Sequence, residues 1–116
     1  MTDEDVHVLN LLRHRVMQCS KGIKEFEGLD GGPYDSHIAI TLSQREFLVE
    51  KRSRALYAML LMNTCDGVDG AIRHLREKIS ADADDMHLKH TLDDLLRSKQ
   101  AVFIHKAFQA KEPGDD

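Results

Sequence analysis

The stretch RALYAMLLMN, residues 54 to 63, decides how the rest of this chain is read. Ala55 to Met62 are eight consecutive apolar residues, with Arg54 before them and Asn63 after. As an α-helix they cover about two turns and leave no polar side. A membrane span needs about 20 such residues, so the run is expected to be covered by protein around its whole circumference. The segment before it, QREFLVEKRSR from residue 44 to residue 54, is charged and amphipathic at helical period. Ser43 and Glu46 have the S-x-x-E spacing of a capping box. Together these predict a helix from about Gln44 to Thr64. Cys65-Asp66-Gly67-Val68-Asp69-Gly70 ends it, with Gly67 suited to the left-handed position past a helix end and Asp66 or Asp69 to the next N-cap. These acids lack the spacing and the closing Glu of a calcium loop.

Working outward, Thr2 and Asp5 resemble a capping signal, and Asp3, Glu4 and Asp5 suit the positive end of a helix dipole. Leu9, Leu12, Val16, Cys19, Ile23 and Phe26 then recur at three and four and form one helical stripe. Gly22 within that stripe costs about 1 kcal/mol against Ala, so packing inside a bundle is expected rather than a free-standing zipper. EGLDGGPYDS is expected to be a loop over residues 28 to 36. It is not a phosphate loop, because the Lys and the Ser or Thr of that motif are missing. HIAITLS follows, and Ile38, Ile40 and Leu42 alternate with His37, Ala39 and Thr41 at strand period, which predicts a short extended segment near residues 37 to 42. Val68, Ile72, Leu75 and Ile79 predict a third, short helix. Leu88, Leu92, Leu95, Leu96, Val102, Phe103 and Ala107 predict a long fourth one from roughly Asp85 to Ala110, begun by the acids of residues 81 to 85 and followed by a frayed tail over 111 to 116. The fold class is therefore all-α, a small bundle of about four helices forming one domain over residues 1 to 116.

Composition narrows the function. At 116 residues with 41% hydrophobic and 31% charged side chains, the chain is ordinary for one globular domain. A formal charge of −4 argues against broad nucleic-acid binding, which wants a net basic face. The start, MTDEDVHVLN, carries acids where a signal peptide has Lys or Arg and has no apolar core segment, so a cytoplasmic location is expected. Cys19 and Cys65 are too few and too far apart for a disulfide framework or a zinc ribbon, and both read as reduced thiols.

Catalytic motifs are scarce. There is no G-x-S-x-G, no H-E-x-x-H and no dinucleotide fingerprint, so a non-enzymatic protein is expected and no cofactor is implied. The weak metal candidates are His87, His90 and Asp94, which at spacings of three and four could share a helix face. In a chain with seven histidines such a pair arises readily by chance. A small metal-binding or thiol-dependent helical enzyme is the alternative they leave. Arg45, Lys51, Arg52 and Arg54 interleave with Glu46 and Glu50 and read as a solvated face or an interface rim.

The opening stretch then points to protein partners. One-sided helices each bury one face, whereas Leu56, Tyr57, Leu60, Leu61 and Met62 point in all directions and call for cover from a second subunit or another protein. Tyr, Met and Leu beside Arg suit an interface. Leu56, Tyr57, Leu60, Leu61 and Met62 are the expected anchors, with Ile38, Ile40 and Phe47 flanking them. The all-helical pattern, the chain length and the segment GGPYDSHIAITLSQREFLVEKRSRALYAMLLM resemble the QslA-type quorum-sensing antiactivators, small bacterial proteins, along the whole chain. That resemblance implies a homodimer that binds the ligand-binding domain of a LuxR-type transcription factor and blocks its dimerisation and hence its DNA binding. It implies no direct contact with nucleic acid or membrane.

Overall fold

Helix formation starts at a reciprocal cap. The Asp5 N–H donates to the Thr2 hydroxyl at 3.2 Å, and the Thr2 N–H donates to the Asp5 carboxylate at 3.1 Å. Two of the donors that a helix start leaves orphaned are thereby satisfied. The computed structural model describes the backbone of residues 1–27 and 35–110 and the side chains of residues 1–25 and 43–107. Four α-helices account for the regular structure of these residues: α1 Asp3–Glu27, α2 Asp35–Thr64, α3 Val68–Ala81 and α4 Met86–Ala110. The all-α expectation holds. Of the expected loop, residues 28–34 lie outside the described residues, as does the tail over 111–116.

One element differs from expectation. Residues 37–42 are not extended; they are helical, and α2 runs without a break from Asp35. A six-residue apolar alternation is ambiguous between the two states, and extending an existing helix gains one hydrogen bond per residue fixed, while a lone strand has no ladder to join. Asp35 and Ser36 accordingly belong to α2, and Ser43 sits inside the helix instead of capping it.

The end of α2 is built around the same aspartate that opens α1. The Gly67 N–H donates to the Met62 carbonyl at 2.8 Å, the long closing bond of a Schellman turn. Asp66, at φ 61°, takes the left-handed position that the spacing suggested for Gly67, as short polar residues can. Gly67 itself has φ 110°, and a Cβ there would lie 2.7 Å from an Asp5 carboxylate oxygen. That carboxylate, 6% exposed, accepts the Val68 N–H at 2.9 Å and so supplies the cap that α3 lacks from its own Gly67. The Val68 hydrogen bond holds the Asp5 carboxyl below its ordinary pKa, against the opposing effect of burial. Gly70, on the next turn, faces the Cys65 carbonyl so closely that no Cβ fits. α3 ends at Ala81, and Asp85 caps α4 by accepting the Leu88 N–H at 3.2 Å.

α1 and α2 form an antiparallel hairpin. Asp5 meets Val68 at one end, Arg52 donates to the Ser20 hydroxyl at 3.3 Å further along, and Leu48 packs over Gly22 beyond that. α4 crosses this pair. The Asp94 carboxylate receives Arg54 of α2 at 3.2 Å and lies 3.8 Å from Arg15 of α1. Arg54 also pairs with Glu50 at 3.2 Å. α3 lies beside α4, where Lys99 bonds Asp69 and reaches toward Glu4. Leu12, Met62, Leu75 and Leu95, one from each helix, are fully buried at the centre of a single core. The molecule measures 59 × 47 × 19 Å, about two helix layers thick. Its radius of gyration of 17.7 Å exceeds the roughly 13 Å of a compact domain of this length.

Candidate interaction surface

Within the apolar run of α2, the protein's own chain covers some sides and not others. Ala55, Ala58 and Met62 are 0% exposed and Leu61 is 5% exposed, all within the core. Leu56 and Leu60 remain 49% and 56% exposed. They stand four residues apart and therefore on one helix face. Leu56 is two residues from Arg54, which meets α4, and so about 200° around the helix from it. The exposed leucines thus look away from α4.

α1 supplies a matching line. Val6, Arg13 and Met17 follow each other at seven and four residues and share one face. Arg15, the α1 residue that meets Asp94, is two residues from both Arg13 and Met17 and about 200° around from each. Val6 and Met17 are 46% and 64% exposed. Leu9, Val16 and Met59, half-buried against the core, stand between these outer lines and the inner ones. One face of the α1–α2 layer, opposite α4, therefore presents apolar side chains from both helices, with Arg13, Ser53 and Asn63 exposed among them.

The expected anchors separate into groups. Leu56 and Leu60 lie on the bare face. Leu61 and Met62 do not: they are part of the protein's own core, because α1, α3 and α4 already cover their side of α2. Tyr57 is half-buried on the α4 side, its ring centroid 5.7 Å from that of His87. Phe47 is 59% exposed but on a different face, on the helical line of Arg54, with Lys51 Nζ 5.9 Å from the ring centroid. The side chains of Ile38 and Ile40 lie outside the described residues. Val6 and Met17 escaped the sequence reading because they fall off the main apolar stripe of α1, in positions that single scattered apolar residues often occupy.

The candidate metal ligands do not come together. Asp94 is occupied by two guanidinium groups from other helices, His87 lies against Tyr57, and His90 is exposed. Among the described residues, no three His, Cys, Asp or Glu side chains converge on a point where an ion could sit. Cys19 is 3% exposed, and Cys65 is half-buried with its sulfur 3.7 Å from the Thr64 hydroxyl. None of the helices of the described residues is long and apolar enough to cross a membrane. No family model, curated protein or solved structure matches this chain.

Proposed function

We propose that this chain is a non-enzymatic regulatory protein, an antiactivator that binds the ligand-binding domain of a LuxR-type quorum-sensing transcription factor and blocks that factor's dimerisation and DNA binding. The observation that carries the reading is the bare face of the α1–α2 layer, with Val6, Met17, Leu56 and Leu60 between 46% and 64% exposed. Clustered exposure of this kind on a layer backed by a packed core supports the reading of a protein-binding surface. From Val6 to Met17 the exposed apolar line of α1 is about 17 Å long, and two adjacent helices are about 20 Å wide, so the face offers roughly 340 Å², the size of an apolar docking patch and smaller than the ~800 Å² per partner of a standard interface. The resemblance to QslA-type antiactivators supplies the identity of the partner.

The physical route is competition for an apolar surface. A LuxR-type factor reads paired half-sites as a dimer, so a protein seated on its dimerisation surface removes DNA binding without touching DNA. A net charge of −4 suits such a protein, which gains nothing from phosphate contacts. Leu56 and Leu60 would supply affinity as buried anchors, and the surrounding Arg13 and other charges would set register and association rate. The reading extends to a homodimeric, cytoplasmic protein.

The test is capture of a purified LuxR-type ligand-binding domain by the immobilised chain. Leu60→Asp is expected to reduce retention at least tenfold while the helical circular dichroism is kept. Full retention by a folded Leu60→Asp chain contradicts the assignment of this face.

A further inference from the structure

α3 and α4 run side by side in opposite directions, with Asp69 at the start of α3 bonded to Lys99 in the later half of α4. Between them lies a hollow of about 310 Å³ lined by Asp69, Ile72, Arg73, Arg76, Leu96 and Lys99. Helix periodicity brings these residues together. Asp69, Ile72, Arg73 and Arg76 follow one another at three, one and three and share a face of α3, and Leu96 and Lys99, three apart, share a face of α4. Ile72 is 6% exposed and Leu96 37%, so the two helices meet over an apolar floor. The long side chains of Arg73, Arg76 and Lys99 form a basic rim around it.

That rim runs against the charge of the chain, which has 20 acidic residues to 16 Lys and Arg. Three cations border the hollow and Asp69 is the one acid in its lining. Asp69 is already taken by Lys99, which also lies 4.0 Å from Glu4. Arg73 has acids four residues away on both sides, Asp69 and Glu77, a spacing that commonly yields helical ion pairs. It pairs with neither. Among the described residues, no carboxylate pairs with Arg73 or Arg76, whereas Arg15, Arg54 and Arg97 each have an aspartate partner. Arg76 also stands close enough to Lys99 for their like charges to oppose each other. An anion seated among the three removes that repulsion.

We propose that this hollow binds a small organic phosphate monoester, its phosphate held by Arg73, Arg76 and Lys99 and its apolar body resting on Ile72 and Leu96. The guanidinium fork matches phosphate oxygens two at a time, and the ammonium adds a point charge beside them. Charge selects phosphate over carboxylate. With Asp69 counted, the lining carries an excess of two positive charges, which a phosphate monoester of about −1.5 to −2 at pH 7 balances and a single carboxylate does not. Lys99 is held in place by Asp69 before any ligand arrives, which lowers the ordering cost of binding. The volume suits a free ligand about the size of one ring with its phosphate, at the lower end of the roughly 300–1,000 Å³ of small-molecule sites. The hollow shares no residue with the bare face of the α1–α2 layer, so the site is additional to receptor binding.

Titration of the full chain with phenyl phosphate, followed by amide chemical shifts, tests the assignment. Saturable shifts are expected at residues 69–76 and 96–99. Inorganic phosphate, which lacks the apolar body, and benzoate, which lacks the second charge, are each expected to bind at least fivefold more weakly. Arg73→Gln and Arg76→Gln, both at exposed positions, are expected to keep the helical circular dichroism and to weaken phenyl phosphate at least tenfold. Lys89→Gln removes an exposed cation of α4 outside the hollow and is expected to change nothing. A neutral pentapeptide carrying phosphotyrosine is expected to bind no more tightly than phenyl phosphate. No saturable binding by wild type, undiminished binding by the folded arginine variants, an equal loss in Lys89→Gln, or equal binding of inorganic phosphate or benzoate each overturns the proposal. Tenfold tighter binding of the pentapeptide overturns the assignment to a free small molecule. None of these titrations involves a receptor, so the regulatory reading stands or falls by its own capture experiment.

Discussion

Asp5 does more for this fold than its place in the first helical turn suggests. Its carboxylate closes the start of α1, caps α3 through Val68 and rests against Gly67, where a side chain would clash. Asp5→Ala leaves the Thr2 and Val68 N–H groups without that acceptor and is expected to cost about 2 kcal/mol, measured by urea unfolding. The group also gives stability a pH dependence. Its folded-state pKa lies below the ordinary carboxylate value, so the unfolded chain binds more protons in acid. The stabilisation is complete above the unfolded value of about 3.9 and is lost as pH falls through the lower folded value. Asp5→Ala should therefore flatten the acid limb of the stability curve, and an unchanged limb would contradict the role. Asp94 is the other residue on which several helices depend. Asp94→Ala takes the carboxylate from Arg15 and from the Arg54 Nε–H, leaving the 14%-exposed Arg54 side chain only its Glu50 partner, at an expected cost of about 1–3 kcal/mol in the same assay. The Thr2–Asp5 cap is readable in the sequence because three residues separate its partners. The bond to Val68 is not, because 63 positions separate it from Asp5 and no local pattern records such a meeting.

At the scale of one element, α2 carries both the success and the failure of the sequence reading. Its apolar run does lie in a helix, and that helix ends where Gly67 and its neighbours suggested. Its start was misplaced, since Ser43 and Glu46 have the spacing of a cap and yet lie inside the helix. Periodicity also cannot say which side of an apolar helix its own chain will cover. Eight apolar residues in a row look alike from sequence, and only the positions of α1, α3 and α4 divide Leu61 and Met62 from Leu56 and Leu60. The division has a direct consequence for stability. Leu61→Ala, at 5% exposure, is expected to cost about 2–5 kcal/mol, and Leu60→Ala, at 56%, less than about 0.5 kcal/mol. Chemical unfolding of the pair checks this, and equal costs would mean that the two leucines share one environment.

The molecule is a two-layer plate, with one side of its α1–α2 layer covered by α3 and α4 and the other left uncovered by the described residues. The sequence made the number of helices and their class legible, because the stripes of α1, α3 and α4 are long and regular. It did not reveal the layering, since the crossing of α4 depends on ion pairs between residues 40 and more positions apart, such as Arg54 with Asp94. The candidate interaction surface was half legible for the same reason: Leu56 and Leu60 were visible in the apolar run, while Val6 and Met17 acquire meaning only when α1 is set beside α2. The central claim is that this bare face binds a LuxR-type receptor. Its most direct test is titration of the purified receptor ligand-binding domain into wild type and Leu56→Asp/Leu60→Asp, with heat or anisotropy as the readout. Saturable binding by the wild type that the folded double variant loses is the expected result. Equal binding by both, or none by the wild type, would contradict the account.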